Sequence, residues 1–157
     1  MWSFSNPVEL VFGIGSFDSV ADLINGRPYC LVTYDEPYFQ MLGEKLIEKA
    51  GKPESIINNI TPNPDFETLT VCCQQFAQMV SSNTVIIALG GGSVIDAAKV
   101  LASSNNGFEP VRLFLKTGRG EEQLATYPII AIPTTAGTGS EVTHWATVWD
   151  TKAQKKY

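Results

Sequence analysis

The stretch Thr84-Val85-Ile86-Ile87-Ala88-Leu89-Gly90-Gly91-Gly92-Ser93-Val94-Ile95-Asp96-Ala97-Ala98-Lys99 passes from an unbroken apolar run, through three glycines, into a segment with helical spacing. A continuous apolar run bounded by glycine marks a strand covered on both faces, and strands of that kind belong to parallel sheets. Residues 94–101 behind it read as a helix. The glycines let a ligand approach bare backbone amides without meeting a Cβ, and the helix points its positive end the same way. Unpaired amides and the macrodipole make an anion site, for which a pyrophosphate is the usual occupant in this architecture. The competing reading is a tight turn in which Ser93 and Asp96 start the helix in the manner of a capping box, with Lys99 as an i, i+3 partner of Asp96. The two readings are compatible. Lys99 lies too deep in the helix for the loop to be a Walker sequence.

Working outward, residues 8–12 read as a short strand stopped by Gly13, and residues 17–24 as a helix. Residues 29–34 are rich in β-branched and aromatic side chains. After them Phe39, Leu42, Leu46, Ile47 and Ala50 trace a helical stripe that Gly51 ends. Ile56, Ile57 and Ile60 suggest a further strand, residues 58–64 a loop, and residues 66–80 a helix with Leu69, Cys72, Cys73, Phe76 and Met79 on its apolar face. Residues 117–122 are Gly-rich and charged, and residues 129–132 form a last buried strand. This alternation predicts a Rossmann-like α/β fold, an open and mostly parallel sheet with helices on both faces. With 157 residues, 44% apolar and 17% charged, a single domain over residues 1–157 is expected.

Ligands of such sheets bind outside the carboxyl ends of the strands, so the loops after buried strands are the ones to inspect. The second that stands out is Ile132-Pro133-Thr134-Thr135-Ala136-Gly137-Thr138-Gly139-Ser140-Glu141-Val142-Thr143. Its hydroxyls can donate to phosphate, ribose or carboxamide oxygens. Composition leaves equally open a polar loop whose threonines and serines satisfy their own backbone. Two such loops in one small sheet favour a dinucleotide. The segment Gly13-Ile14-Gly15-Ser16-Phe17-Asp18, with Asp35 further on, imitates a dinucleotide fingerprint, but Asp18 stands where a third glycine is needed. It reads as a strand-to-helix turn.

A formal net charge of −5 disfavours nucleic acid and anionic membranes as partners. The three cysteines, Cys30, Cys72 and Cys73, have neither disulfide-scaffold nor zinc-ligand spacing and read as reduced, buried thiols. Residues 1–7 lack the basic and apolar regions of a leader, and no apolar run approaches the roughly 20 residues that span a bilayer. A cytoplasmic protein without membrane partners is expected.

Together the two loops resemble those of the iron-containing (group III) alcohol dehydrogenases, with their Gly-Gly-Gly-Ser-x-x-Asp-x-x-Lys helix start and Pro-Thr-Thr-Ala-Gly-Thr-Gly-Ser-Glu-Val-Thr segment. The resemblance extends to Phe12-Gly13-x-Gly15 and Thr61-Pro62-Asn63-Pro64. It implies that Gly91, Gly92 and Ser93 hold a pyrophosphate, that Thr134, Thr135 and Thr138 contact phosphate and the nicotinamide side, and that Asn63, Thr147 and Lys156 also touch the cofactor. For Lys156 the alternative is one charge among Lys152, Lys155 and Lys156 on a solvated face. The adenine ribose falls to Tyr34, Asp35 or Glu36, with Tyr34 at the family position. A carboxylate at Asp35 or Glu36 would repel a 2′-phosphate, which favours NAD over NADP.

In the family a metal, Fe²⁺ or Zn²⁺, is held by an Asp and three His of an all-helical second domain, and the resemblance places none of these before Tyr157. No catalytic and no metal-ligating residue is therefore assigned to this chain. Its single histidine, His144, reads as structural or substrate-lining. The implied activity is NAD(P)-dependent oxidation of a small alcohol or reduction of an aldehyde in the intact enzyme, with this chain as the cofactor-binding half and inactive alone. Residues 141–150, read as a strand, are similar to the subgroup that reduces phosphonoacetaldehyde. Alternatives are a sugar-phosphate cyclase of the dehydroquinate synthase type and a non-catalytic nucleotide-binding module. A homo-oligomer is expected, associating through the apolar face that would meet the second domain.

Overall fold

Strands β1 (Tyr29–Val32), β2 (Ser55–Ile57), β3 (Val85–Gly90) and β4 (Ile129–Pro133) form one parallel sheet in the order β2-β1-β3-β4. The computed structural model describes residues 6–104 and 107–157, so the reading of residues 1–5 as lacking a leader lies outside the described residues. Register is set by pairs such as Leu31 with Ile87 and Ala88 with Ala131. The helices that return the chain are α1 (Val20–Ile24), α2 (Pro37–Ala50), α3 (Phe66–Met79), α4 (Gly92–Ser103) and α5 (Glu109–Thr117). A hairpin of β5 (Trp149–Asp150) and β6 (Lys155–Lys156) follows.

Because successive strand residues point to opposite faces, β1 and β3 feed two cores. Cys30, Val32, Ile86 and Ala88 pack with Leu69, Cys73 and Phe76 of α3 and Ile95 and Ala98 of α4. Tyr29, Leu31, Val85, Ile87 and Leu89 pack instead with Val20 and Ile24 of α1 and Leu46 of α2. The unbroken apolar run is thus the signature of a central strand with both faces covered. Gly51, at φ 81°, ends α2 as expected, and the Asp65 carboxylate caps α3 by accepting from the Glu67 and Thr68 amides, both at 2.9 Å.

Three expectations need correction, and one element was missed. Residues 8–12 are not a strand: no described strand pairs with them, and Leu10, Val11 and Phe12 lie exposed. An apolar pattern without a neighbouring edge has nothing to complete. The helix expected over 17–24 is a 3₁₀ turn, Ser16–Ser19, followed by the short α1, which Asn25 stops in a left-handed conformation. Helix α5 was not anticipated, although Pro110 in its first turn and Val111 and Leu115 one turn apart are its signals. Finally β4 is half-buried rather than buried, because it is the last strand of the sheet.

Candidate functional site

The order of the strands reverses between β1 and β3, so the loops leaving their carboxyl ends part and open a crevice. A cleft of about 670 Å³ occupies that place. Tyr34, Asn63, Gly91, Gly92, Ser93, Thr134, Thr135, Thr138, Thr147 and Lys156 all line it, joined by Phe39, Pro64, Asp96, Ser140, Thr143 and Trp145. Residues far apart in sequence are brought together because each follows a strand end or sits on the hairpin beside it.

Asp35 is not among the lining residues. Its carboxylate accepts from Asn58 Nδ2 at 2.7 Å and its carbonyl from Gln40 Nε2 at 3.0 Å, so it ties β1's exit loop to its neighbours. Tyr34 takes the lining position, its ring edge-on to Phe39 with centroids 5.0 Å apart. Asn63 adopts φ 58°, uncommon for a side-chain-bearing residue, and its amide donates to Ser93 Oγ at 3.1 Å.

The glycines prove to serve the second loop as well as any ligand. A Cβ on Gly91 would stand 3.2 Å from Thr135 Oγ1, and one on Gly92 would stand 3.2 Å from Thr138 Cγ2. The two Gly-rich segments therefore pack on each other. The amides of Gly92 and Ser93 open α4 and so lack intrahelical acceptors, which leaves them for an anion. A capping box does not form: Gly91 is the N-cap, without a side-chain bond, and Asp96 faces the threonine-rich segment instead.

That segment is held from α4. Ser140 Oγ donates to Asp96 Oδ1 at 2.6 Å, and the Thr147 amide donates to Asp96 Oδ2 at 3.0 Å. Lys99 Nζ donates to Ser140 Oγ at 3.0 Å, Thr143 Oγ1 at 3.4 Å and the Trp145 carbonyl at 2.5 Å. The expected Asp96–Lys99 pair is present at 3.8 Å, both side chains 14% exposed. Burial lowers the Lys99 ammonium from its ordinary value, and the charge of Asp96 opposes that shift.

The three C-terminal lysines are all exposed but have different neighbours. Lys152 pairs with Glu67 at 2.7 Å, Lys155 lies over Tyr157, and Lys156 reaches the cleft beside the Trp149 ring, 5.9 Å from its centroid. His144 is exposed against Trp145, ring centroids 4.5 Å apart, and is outside the lining. Of residues 141–150 only Trp149–Asp150 is strand. Phe39 and Trp145 are lining residues that the sequence does not single out: the first falls in a helix stripe, and the second in a segment whose alternation reads as a strand but which is not one at that position.

Among the described residues no three or more of His, Cys, Asp and Glu come together as metal ligands, and no helix is long and apolar enough to cross a membrane. The cysteines are buried, and burial pushes Cys30 and Cys72 up to about 11 and Cys73 to about 12.

A family model for iron-containing alcohol dehydrogenase matches residues 7–157. The chain is 30% identical to alcohol dehydrogenase 4 of Saccharomyces cerevisiae over 153 residues, which is 92% of this chain and 38% of that protein. It is 43% identical to phosphonoacetaldehyde reductase of Streptomyces viridochromogenes over 77 residues, 46% of this chain and 20% of that one. A crystal structure of sulfoacetaldehyde reductase from Bifidobacterium kashiwanohense in complex with NAD⁺ superposes with a TM-score of 0.84 at 28% identity, covering 99% of this chain and 42% of that one. The chain thus spans well under half the length of the relatives it matches.

Proposed function

Because the chain belongs to the iron-containing alcohol dehydrogenase family, we propose that its cleft holds NAD(P) and presents the nicotinamide to a small alcohol or aldehyde in a longer, homo-oligomeric cytoplasmic protein. The observation that carries this reading is the convergence of two Gly-rich segments at the sheet's switch point, with free helix-start amides on one side and threonine hydroxyls on the other. The donor set suits a dinucleotide. Tyr34 and Phe39 give the adenosine end an aromatic wall, Ser93 and the Gly92 amide face the pyrophosphate, and Thr134, Thr135, Thr138, Thr147 and Lys156 serve the rest. The cofactor, when bound, supplies or takes the hydride.

The residues of this chain fix the cofactor's orientation; among the described residues, no three or more of His, Cys, Asp and Glu come together where a metal could be held. Asp35 points its carboxylate at Asn58 rather than into the cleft, so it gives little basis for rejecting a 2′-phosphate. NADPH is therefore expected to bind as well as NADH. Within the substrate class, the phosphonoacetaldehyde and sulfoacetaldehyde reductases among the relatives favour a short aldehyde carrying a strong acid. The family match sets the cyclase reading aside.

Calorimetric titration of the chain with NAD, NADH, NADP and NADPH tests the proposal. Saturable heat with a dinucleotide is expected, together with negligible turnover of phosphonoacetaldehyde or propanal. Absence of binding with all four overturns the cofactor reading, and efficient turnover by the 157 residues overturns the division of labour.

A further inference from the structure

We propose that Asp96, at the edge of the cleft, and Lys99, behind it, are positioning residues that set nucleotide affinity by fixing residues 138–147 as the cleft's wall. This rests on the dinucleotide reading above. The wall carries little regular structure of its own: one 3₁₀ turn, Ser140–Val142, and two backbone bonds, from the Val142 amide to Gly139 at 3.1 Å and from the Thr143 amide to Ser140 at 3.4 Å. Gly137 and Gly139, at φ 97° and 64°, flank Thr138 with backbone that restricts it little. Such a segment pays a large ordering entropy unless something else holds it.

Two side chains of α4 do so. Three residues apart, Asp96 and Lys99 share a face of the helix. Each Asp96 oxygen accepts from a different part of the wall, Ser140 and Thr147, while the Lys99 ammonium directs its donors to Ser140, Thr143 and the Trp145 carbonyl. The bonds reach four points between residues 140 and 147. Ser140 is the joint between the two, accepting from Lys99 and donating to Asp96. Both groups are largely shielded from water, where hydrogen bonds to a charge are strongest and a missing partner is most damaging. Helix α4 presents its opening amides to the cleft and, one turn on, the clamp for the facing wall. One rigid element thereby sets the width between the anion site and the hydroxyls.

The test uses the full chain as wild type, Asp96→Asn, Lys99→Met, Lys99→Arg and the double variant D96N/K99M. Hydrogen exchange without nucleotide is expected to quicken across residues 138–147 in D96N and K99M, while the β1 and β3 amides keep their protection. The Kd for NADH rises by about tenfold in each, as for one lost charged hydrogen bond. K99R recovers part of the loss, and the double variant binds little worse than the weaker single, because both act through one segment. Unchanged exchange over 138–147, or unchanged affinity once that segment is loosened, overturns the inference. If the wild type binds no dinucleotide, the cofactor reading fails, and the exchange arm still decides whether the pair orders the wall.

Discussion

Gly92 and Thr138 are packed so closely that a methyl group on the glycine would lie 3.2 Å from Thr138 Cγ2. Thr138 therefore reaches its place over α4 only because that position carries no side chain. Gly92→Ala should displace Thr138 by a few tenths of an ångström. Folding should hardly change, since Ala is favoured over Gly in a helix by up to about 1 kcal/mol and offsets the crowding. NADH affinity should fall by about tenfold. Urea denaturation alongside calorimetry checks the split, and equal losses in both would assign the glycine to folding alone.

Tyr34, not Asp35, lines the cleft, so the two positions should answer differently to substitution. Asp35→Asn should leave the ratio of NADH to NADPH affinity unchanged while loosening the Asn58 contact. Tyr34→Asp should weaken NADPH relative to NADH by about tenfold or more, through repulsion between carboxylate and 2′-phosphate. Competitive titrations with the two nucleotides read both outcomes, and a shift in the Asp35 variant would return that residue to the site.

Asn63 combines a left-handed backbone with a place in the cleft. Asn63→Ala should cost about 1 kcal/mol of stability through that conformation, and Asn63→Gly should cost much less. Both remove the side chain, so both should weaken NADH equally. Denaturation curves separate the backbone effect, and a nucleotide affinity that follows stability would show that the side chain contributes nothing to binding.

The thiols give a pH dependence of definite sign. Unfolded cysteines lose their protons around the ordinary value of 9.0, whereas Cys30 and Cys72 hold theirs to about 11 and Cys73 to about 12. Over that window the unfolded chain binds fewer protons, so stability falls as pH rises. Lys99 opposes this just below 10.5, since its lowered value leaves the unfolded chain binding more. Three thiols outweigh one amine. Denaturation midpoints should drop between pH 9 and 11, and the native thiols should ignore a disulfide reagent at pH 8 until the chain unfolds.

What could be read from the sequence divides along a physical line. The run from Thr84 to Leu89 announced a central strand because its residues feed two cores, and glycines following it announced an open helix start. Residues 8–12 misled because their apolar pattern is that of a strand, while pairing depends on an edge that pattern cannot reveal. Asp35 is a related case: a carboxylate after a strand has the right chemistry, but its direction follows from Asn58 and Gln40, which both donate to it and are invisible in the local pattern. The roles of Asp96 and Lys99 lay deepest. A helix-internal i, i+3 pair looks complete in itself, and only the fold shows that both reach past each other to a segment more than forty residues away.

The parallel order β2-β1-β3-β4 gives the sheet two unlike rims. At the rim away from the cleft, Pro28 and Pro128 lead into β1 and β4 and accept from the Val85 and Ile86 amides, both at 2.9 Å. Nothing from that rim lines the cleft. Affinity tags, reporter insertions and loop grafts placed before the strands can therefore be selected for folding alone, leaving the binding chemistry as an independent variable to be tuned from the opposite end.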